Sequence, residues 1–97
     1  MIPKSITIYG VKYKVKIDPK LESAGLFECQ RLDKKNLISI FKDDIDSMLY
    51  AYLHECLHGV FEEGRVNEVV PPEIEEVITE QTVKFLLKNF TVEPKYR

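Results

Sequence analysis

No stretch of this 97-residue chain approaches the roughly 18 consecutive apolar residues that a membrane-spanning helix requires. The opening residues, Met1-Ile2-Pro3-Lys4-Ser5, lack the apolar core of a secretory signal, so cytoplasmic residence is the expectation. Charge of neither sign dominates. Fourteen Lys and Arg against sixteen Asp and Glu leave a formal charge of -2, which gives no global attraction for nucleic acid or for acidic membranes. Cysteine is scarce, and Cys29 and Cys56 fit no zinc-ribbon or redox spacing, so two free thiols are expected. Internal repeats and low-complexity segments are also missing. What remains is 44% hydrophobic and 31% charged, the composition of an ordinary soluble globular protein, and its length allows one domain, residues 1–97.

The chain begins in a strand-like pattern. Ser5 to Tyr9 is rich in β-branched residues, Gly10 permits a tight turn, and Val11 to Ile17 alternates Val, Tyr, Val and Ile with Lys12, Lys14 and Lys16. Period two predicts a hairpin with one buried face, the lysines forming its solvated side. Asp18-Pro19-Lys20 ends the second strand. Leu26 to Arg31 and Asn36 to Phe41 are further strand candidates. The nearly continuous apolar run Leu37-Ile38-Ser39-Ile40-Phe41 points to a strand close to the core. The expected sheet, over 5–41, has three or four mostly antiparallel strands.

Asp43-Asp44 then offers an N-cap for a helix over 44–63, with Asp46 favourably placed for the helix dipole and Gly64 as a C-cap. Ile45, Leu49, Tyr52, Leu53, Cys56 and Val60 recur at a helical period and form its expected packing stripe. Pro71-Pro72 stiffens the entry to a second helix over 73–90. Its apolar residues Ile74, Val77, Ile78, Phe85, Leu86 and Leu87 are expected to turn inward. The polar tail, 91–97, is expected to fray. The fold class is therefore α+β, a small sheet followed by two helices.

Histidine occurs only twice, and both copies lie in His54-Glu55-Cys56-Leu57-His58. Four residues is about one helical turn, so the two imidazoles leave the same face and can occupy adjacent corners of a zinc tetrahedron. Glu55 is placed to act as general base on a metal-bound water. The same spacing also occurs in surface helices with no metal. Here the motif falls on a predicted helix, off its packing stripe, and a carboxylate-bearing helix follows. Cys56 belongs to the packing stripe and is rejected as a ligand; Cys29, on a strand, is not singled out. With Ile74, Ile78, Gln81 and Phe85 taken as inward, a count of about 100° per residue puts Glu75 at the inward edge and Glu76 and Glu80 on the far side. The expected Zn2+ ligands are thus His54, His58 and Glu75, with Glu76 as the second candidate.

With those residues in view, the chain resembles the small phage- and prophage-encoded zincin-like proteins related to the ImmA/IrrE group of metallopeptidases. The resemblance runs through Tyr9-Gly10-Val11-Lys12-Tyr13-Lys14-Val15, the segment from Gly25 to Ile40, the histidine motif with Gly59-Val60-Phe61-Glu62-Glu63 behind it, and Glu75-Glu76-Val77-Ile78. It implies a minimal zincin-like fold, a zinc ion, a glutamate ligand at Glu75 and a general base at Glu55. The alanine- and asparagine-containing stretch that follows the third ligand in larger relatives is missing, as is their extra DNA-binding domain. The leading expectation is a zinc metallopeptidase acting on a protein or peptide partner. The competing ones are a catalytically silent, zinc-stabilised binding module and a metal-free phage interaction protein.

Overall fold

The computed structural model describes residues 2–30 and 34–93. Its first two strands, β1 (Ser5–Ile8) and β2 (Val11–Asp18), form the expected hairpin, with Ile6 opposite Tyr13 and Ile8 opposite Val11. Tyr9 (φ 48°) and Gly10 (φ 83°) both adopt positive φ. Such a pair is what a two-residue hairpin turn needs to match the right-handed twist of the strands it joins.

Strands β3 (Gly25–Glu28) and β4 (Leu37–Phe41) complete a four-stranded sheet in the order β1-β2-β4-β3. The strand expected over Leu26 to Arg31 ends at Glu28, and its last residue, Arg31, lies outside the described residues. Two of the three pairings are antiparallel, but β2 and β4 run parallel, Val15 beside Ile38 and Ile17 beside Ile40. The sheet is mixed because β4 inserts between β2 and β3 instead of pairing at an edge. The apolar run in β4 explains its place: Ile38 and Ile40 are fully buried and Ser39 nearly so, whereas a shorter strand beginning at Gly25 can sit at the margin.

Helix α1 (Ile45–Glu63) starts as its sequence dictates. The Asp44 carboxylate accepts a 2.8 Å hydrogen bond from the Ser47 amide, and the attraction of that bond holds the Asp44 carboxyl below its ordinary range. Gly64 caps the other end, yet the left-handed residue is Arg65 (φ 63°), which leads into a single 3-10 turn at Val66–Glu68. Tyr52 and Cys56 join Ile8, Tyr13, Cys29, Ile38, Ile40 and Ala51 in the core between α1 and the sheet. Ile45, assigned to that stripe by periodicity, is half exposed. Gly59 allows close approach, since a Cβ there would lie 2.5 Å from Ile8 Cδ1 and 3.1 Å from Phe27 Cε1.

Helix α2 (Pro72–Asn89) opens on Pro72 and packs chiefly on α1, forming a third layer beyond the sheet. Its buried residues are Thr79 and Val83. Ile74, Val77, Ile78 and Phe85 face outward. This reverses the expectation from their periodicity. The surface that α1 offers α2 carries Tyr50, His54 and His58, so the polar side of α2 is the side that meets it. The tail beyond Asn89 is described only to Glu93 and holds no helix there; 94–97 lie outside the described residues. Among the described residues, no helix is long and apolar enough to cross a membrane.

Candidate metal centre

His54 and His58 leave α1 one turn apart and converge, their Nε2 atoms 3.1 Å from each other. Glu76 of α2 closes the group. Its Oε1 lies 3.1 Å from His54 Nε2 and its Oε2 3.1 Å from His58 Nε2. A tetrahedral ion with bonds of about 2.0 Å separates its ligand atoms by about 3.3 Å, so this spacing is close to what such an ion sets. His54, His58 and Glu76 form a group able to hold a metal ion, one donor atom from each lying within 4.8 Å of the others.

The carboxylate facing both Nε2 atoms is therefore Glu76, and Glu75 takes a different place. Glu75 Oε2 lies 2.6 Å from His58 Nδ1, on the opposite edge of the ring. The placement of Glu76 and Glu80 on the far side of α2 is corrected as well, because both face α1. Glu80 Oε1 is 3.2 Å from His54 Nδ1, off the line of an aligned hydrogen bond, while Glu80 Oε2 accepts a 2.9 Å bond from the Tyr50 hydroxyl. Burial and the Glu80 carboxylate together push the Tyr50 hydroxyl up to about 12, which keeps it a donor. Each imidazole thus has a carboxylate against Nδ1 and turns Nε2 towards the shared point. At His58, a carboxylate accepting from Nδ1–H favours the tautomer whose Nε2 lone pair is free to bind a cation.

Sequence counting ranks Glu76 only second and leaves out Glu80 through one assumption, that the apolar stripe of α2 faces inward. A usable signal was present. Glu76 and Glu80 repeat the four-residue spacing of His54 and His58, and Thr79 and Val83 lie on the same face. On antiparallel helices, two carboxylates and two imidazoles at matched spacing come together as facing pairs.

Comparison with protein-family models, curated protein sequences and solved structures gives no match to this chain. The site is therefore read from its own chemistry.

Glu55 leaves α1 towards β3 and is nearly buried. Its carboxyl is raised to about 7, first by loss of solvent and then by the Glu76 charge, with His58 acting in the opposite sense. It borders a cleft of about 450 Å³ together with Gly25, Leu26, Phe27, His58 and Glu75. One wall of the cleft is thus β3, one of the two edge strands of the sheet. The cysteines stand apart from this centre. Cys56 is in the core with its thiol pushed up to about 12, mainly by burial. Cys29 is buried with Sγ 3.7 Å from Glu62 Oε1. Glu62 also accepts a hydrogen bond from Asn67, and Tyr13 donates to Glu63. The carboxylates behind His58 are engaged in tying α1 to the sheet and to the turn that follows it.

Proposed function

We propose that the chain is a zinc-dependent metallopeptidase of minimal zincin-like architecture, with His54, His58 and Glu76 as ligands and Glu55 as general base. The observation that carries this reading is the convergence of two Nε2 atoms and one carboxylate beside a cleft bordered by a buried glutamate. Two neutral imidazoles and a carboxylate suit zinc, and they leave a fourth position for water or substrate. A zinc ion held there would acidify a bound water and polarise the scissile carbonyl. With zinc bound, Glu55, the residue after the first histidine, would be the group to accept a proton from the water on its carboxylate and to return it to the departing amine. Glu75 holds the His58 ring in register, while Glu80, anchored by Tyr50, places a negative charge beside His54 Nδ1.

The substrate in this reading is an extended peptide segment. Strand β3 presents an edge beside the cleft, and a peptide added there by main-chain hydrogen bonds would run past Glu55 and His58. The resemblance to the ImmA/IrrE-related proteins implied Glu75 as the third ligand; in this reading that role passes to Glu76.

The test combines metal analysis with one variant. Protein purified without chelator should carry one zinc per chain, and a peptide library should be cleaved by wild type but not by Glu55→Gln with its zinc retained. Failure to take up zinc on reconstitution would defeat the metal claim. Equal cleavage by both forms would defeat the role of Glu55. The second reading, a zinc-stabilised binding module without turnover, draws on the burial of Glu55 against β3; stoichiometric zinc with no cleavage of any library peptide would favour it.

A further inference from the structure

We infer that the outward face of α2 is a dimer interface, occupied by the same face of a second copy of this chain in antiparallel orientation. The face is independent of the metal centre, which lies on the opposite side of the helix. Ile74, Val77, Ile78 and Phe85 are 51%, 59%, 41% and 59% exposed, and the Phe90 ring extends the patch by packing edge-on against Phe85 at 5.9 Å. With side chains of this size about half exposed, the patch presents roughly 500 Å² of apolar surface, in the range of the largest, often functional, patch on a typical monomer. The inward face of the same helix carries Glu75, Glu76, Thr79, Glu80 and Val83. The helix is thus amphipathic in reverse with respect to its own domain, and its apolar side has no partner among the described elements.

The pattern of the face is self-complementary, which selects a second copy over an unrelated partner. Ile74, Val77, Ile78 and Gln81 stand at i, i+3, i+4 and i+7, the four-residue hole that receives one side chain from a facing helix. Phe85, one turn beyond Gln81, is a knob of suitable size. In an antiparallel pair with its twofold axis near Gln81, each Phe85 enters the hole of the other chain, and Val77 lies opposite Phe85. Charge follows the same symmetry. Exposed Glu73 stands in the first turn of α2 and Lys88 in the last, with Lys84 a turn earlier. Antiparallel pairing sets Glu73 of one chain beside Lys88 of the other, twice, as an isologous interface requires. Parallel pairing would place like charges together. Antiparallel packing also opposes the two helix dipoles favourably.

The experiment is sedimentation equilibrium on the full chain over a wide concentration range, with and without EDTA. Wild type should sediment at twice the 11.3 kDa chain mass in both conditions. Val77→Glu and Phe85→Glu should sediment as single chains with unchanged circular dichroism. Glu73→Lys alone, or Lys88→Glu alone, loses two exposed ion pairs by symmetry and adds like-charge contacts, so each should weaken association about tenfold. The double variant Glu73→Lys/Lys88→Glu should restore it. A wild-type monomer at all concentrations would overturn the inference, and its co-flotation with lipid vesicles would assign the face to a membrane surface instead. A dimer indifferent to Val77→Glu, or double-variant association no stronger than that of either single variant, would equally overturn it.

Discussion

The Glu55 side chain fills the space in which Gly25 would carry a Cβ: that atom would stand 2.9 Å from both Glu55 Cγ and Glu55 Oε2. An edge-strand glycine therefore sets where the proposed general base can lie. The Gly25→Ala chain should fold, because a glutamate end can swing aside, but its carboxylate is displaced. Zinc content should stay at one per chain while turnover of a cleaved library peptide falls about tenfold, equivalent to about 1.4 kcal/mol of transition-state stabilisation. Unchanged turnover would show that Glu55 does not depend on that position.

Glu76 and Glu75 are neighbours in sequence with different places at the site, and chelator competition separates them. Glu76→Gln removes a carboxylate that faces both Nε2 atoms, so zinc affinity should fall more than for Glu75→Gln. The latter removes the negative charge beside His58 Nδ1 while leaving an amide oxygen to accept from it, and should cost about 10- to 100-fold. The reverse order would return Glu75 to the ligand position.

In the metal-free protein, Glu55 has a defined pH signature. Its carboxyl lies near 7 in the fold, raised by burial, against 4.5 for an ordinary glutamate, so the folded state binds more protons between those values. Its unfavourable contribution is absent below pH 4.5, grows as pH rises to about 7, and is constant above, reaching roughly 3 kcal/mol. Urea titrations in EDTA should show Glu55→Gln gaining stability over wild type through that window and holding the gain at pH 8. A difference between the two proteins that is independent of pH would contradict the burial of a charged Glu55.

Both thiols should be slow to react in the native state. The Cys56 thiol is held near 12 by burial, so almost none is thiolate at pH 8, and Cys29 is fully enclosed. Ellman's reagent should modify neither until the chain is denatured in EDTA, and both thereafter. Rapid labelling of native Cys56 would mean that α1 separates from the sheet.

Much of the architecture is local and therefore legible in one dimension. Alternation in Val11 to Ile17 marked β2, Asp44 and Gly64 bracketed α1, and His54 and His58 were aligned by helix geometry alone. The parallel pairing of β2 with β4 was not legible, because alternation says which face of a strand is buried and not which neighbour it takes. Tyr9-Gly10 is similar: the glycine signals a turn, while the positive φ of Tyr9 follows from closing the hairpin.

The sequence by itself determined that two imidazoles share a helix face with a glutamate beside them, since the spacing of a helix is a covalent and hydrogen-bonded constraint. It also determined that α2 has an apolar stripe and a carboxylate stripe. Only the tertiary structure decided which of these faces α1. Periodicity is blind to the chemistry of the surface a helix will meet, and α1 offers α2 its histidines. Glu76 and Glu80 turn inward, Glu75 supports His58 from behind, and Ile74, Val77, Ile78 and Phe85 are left outside.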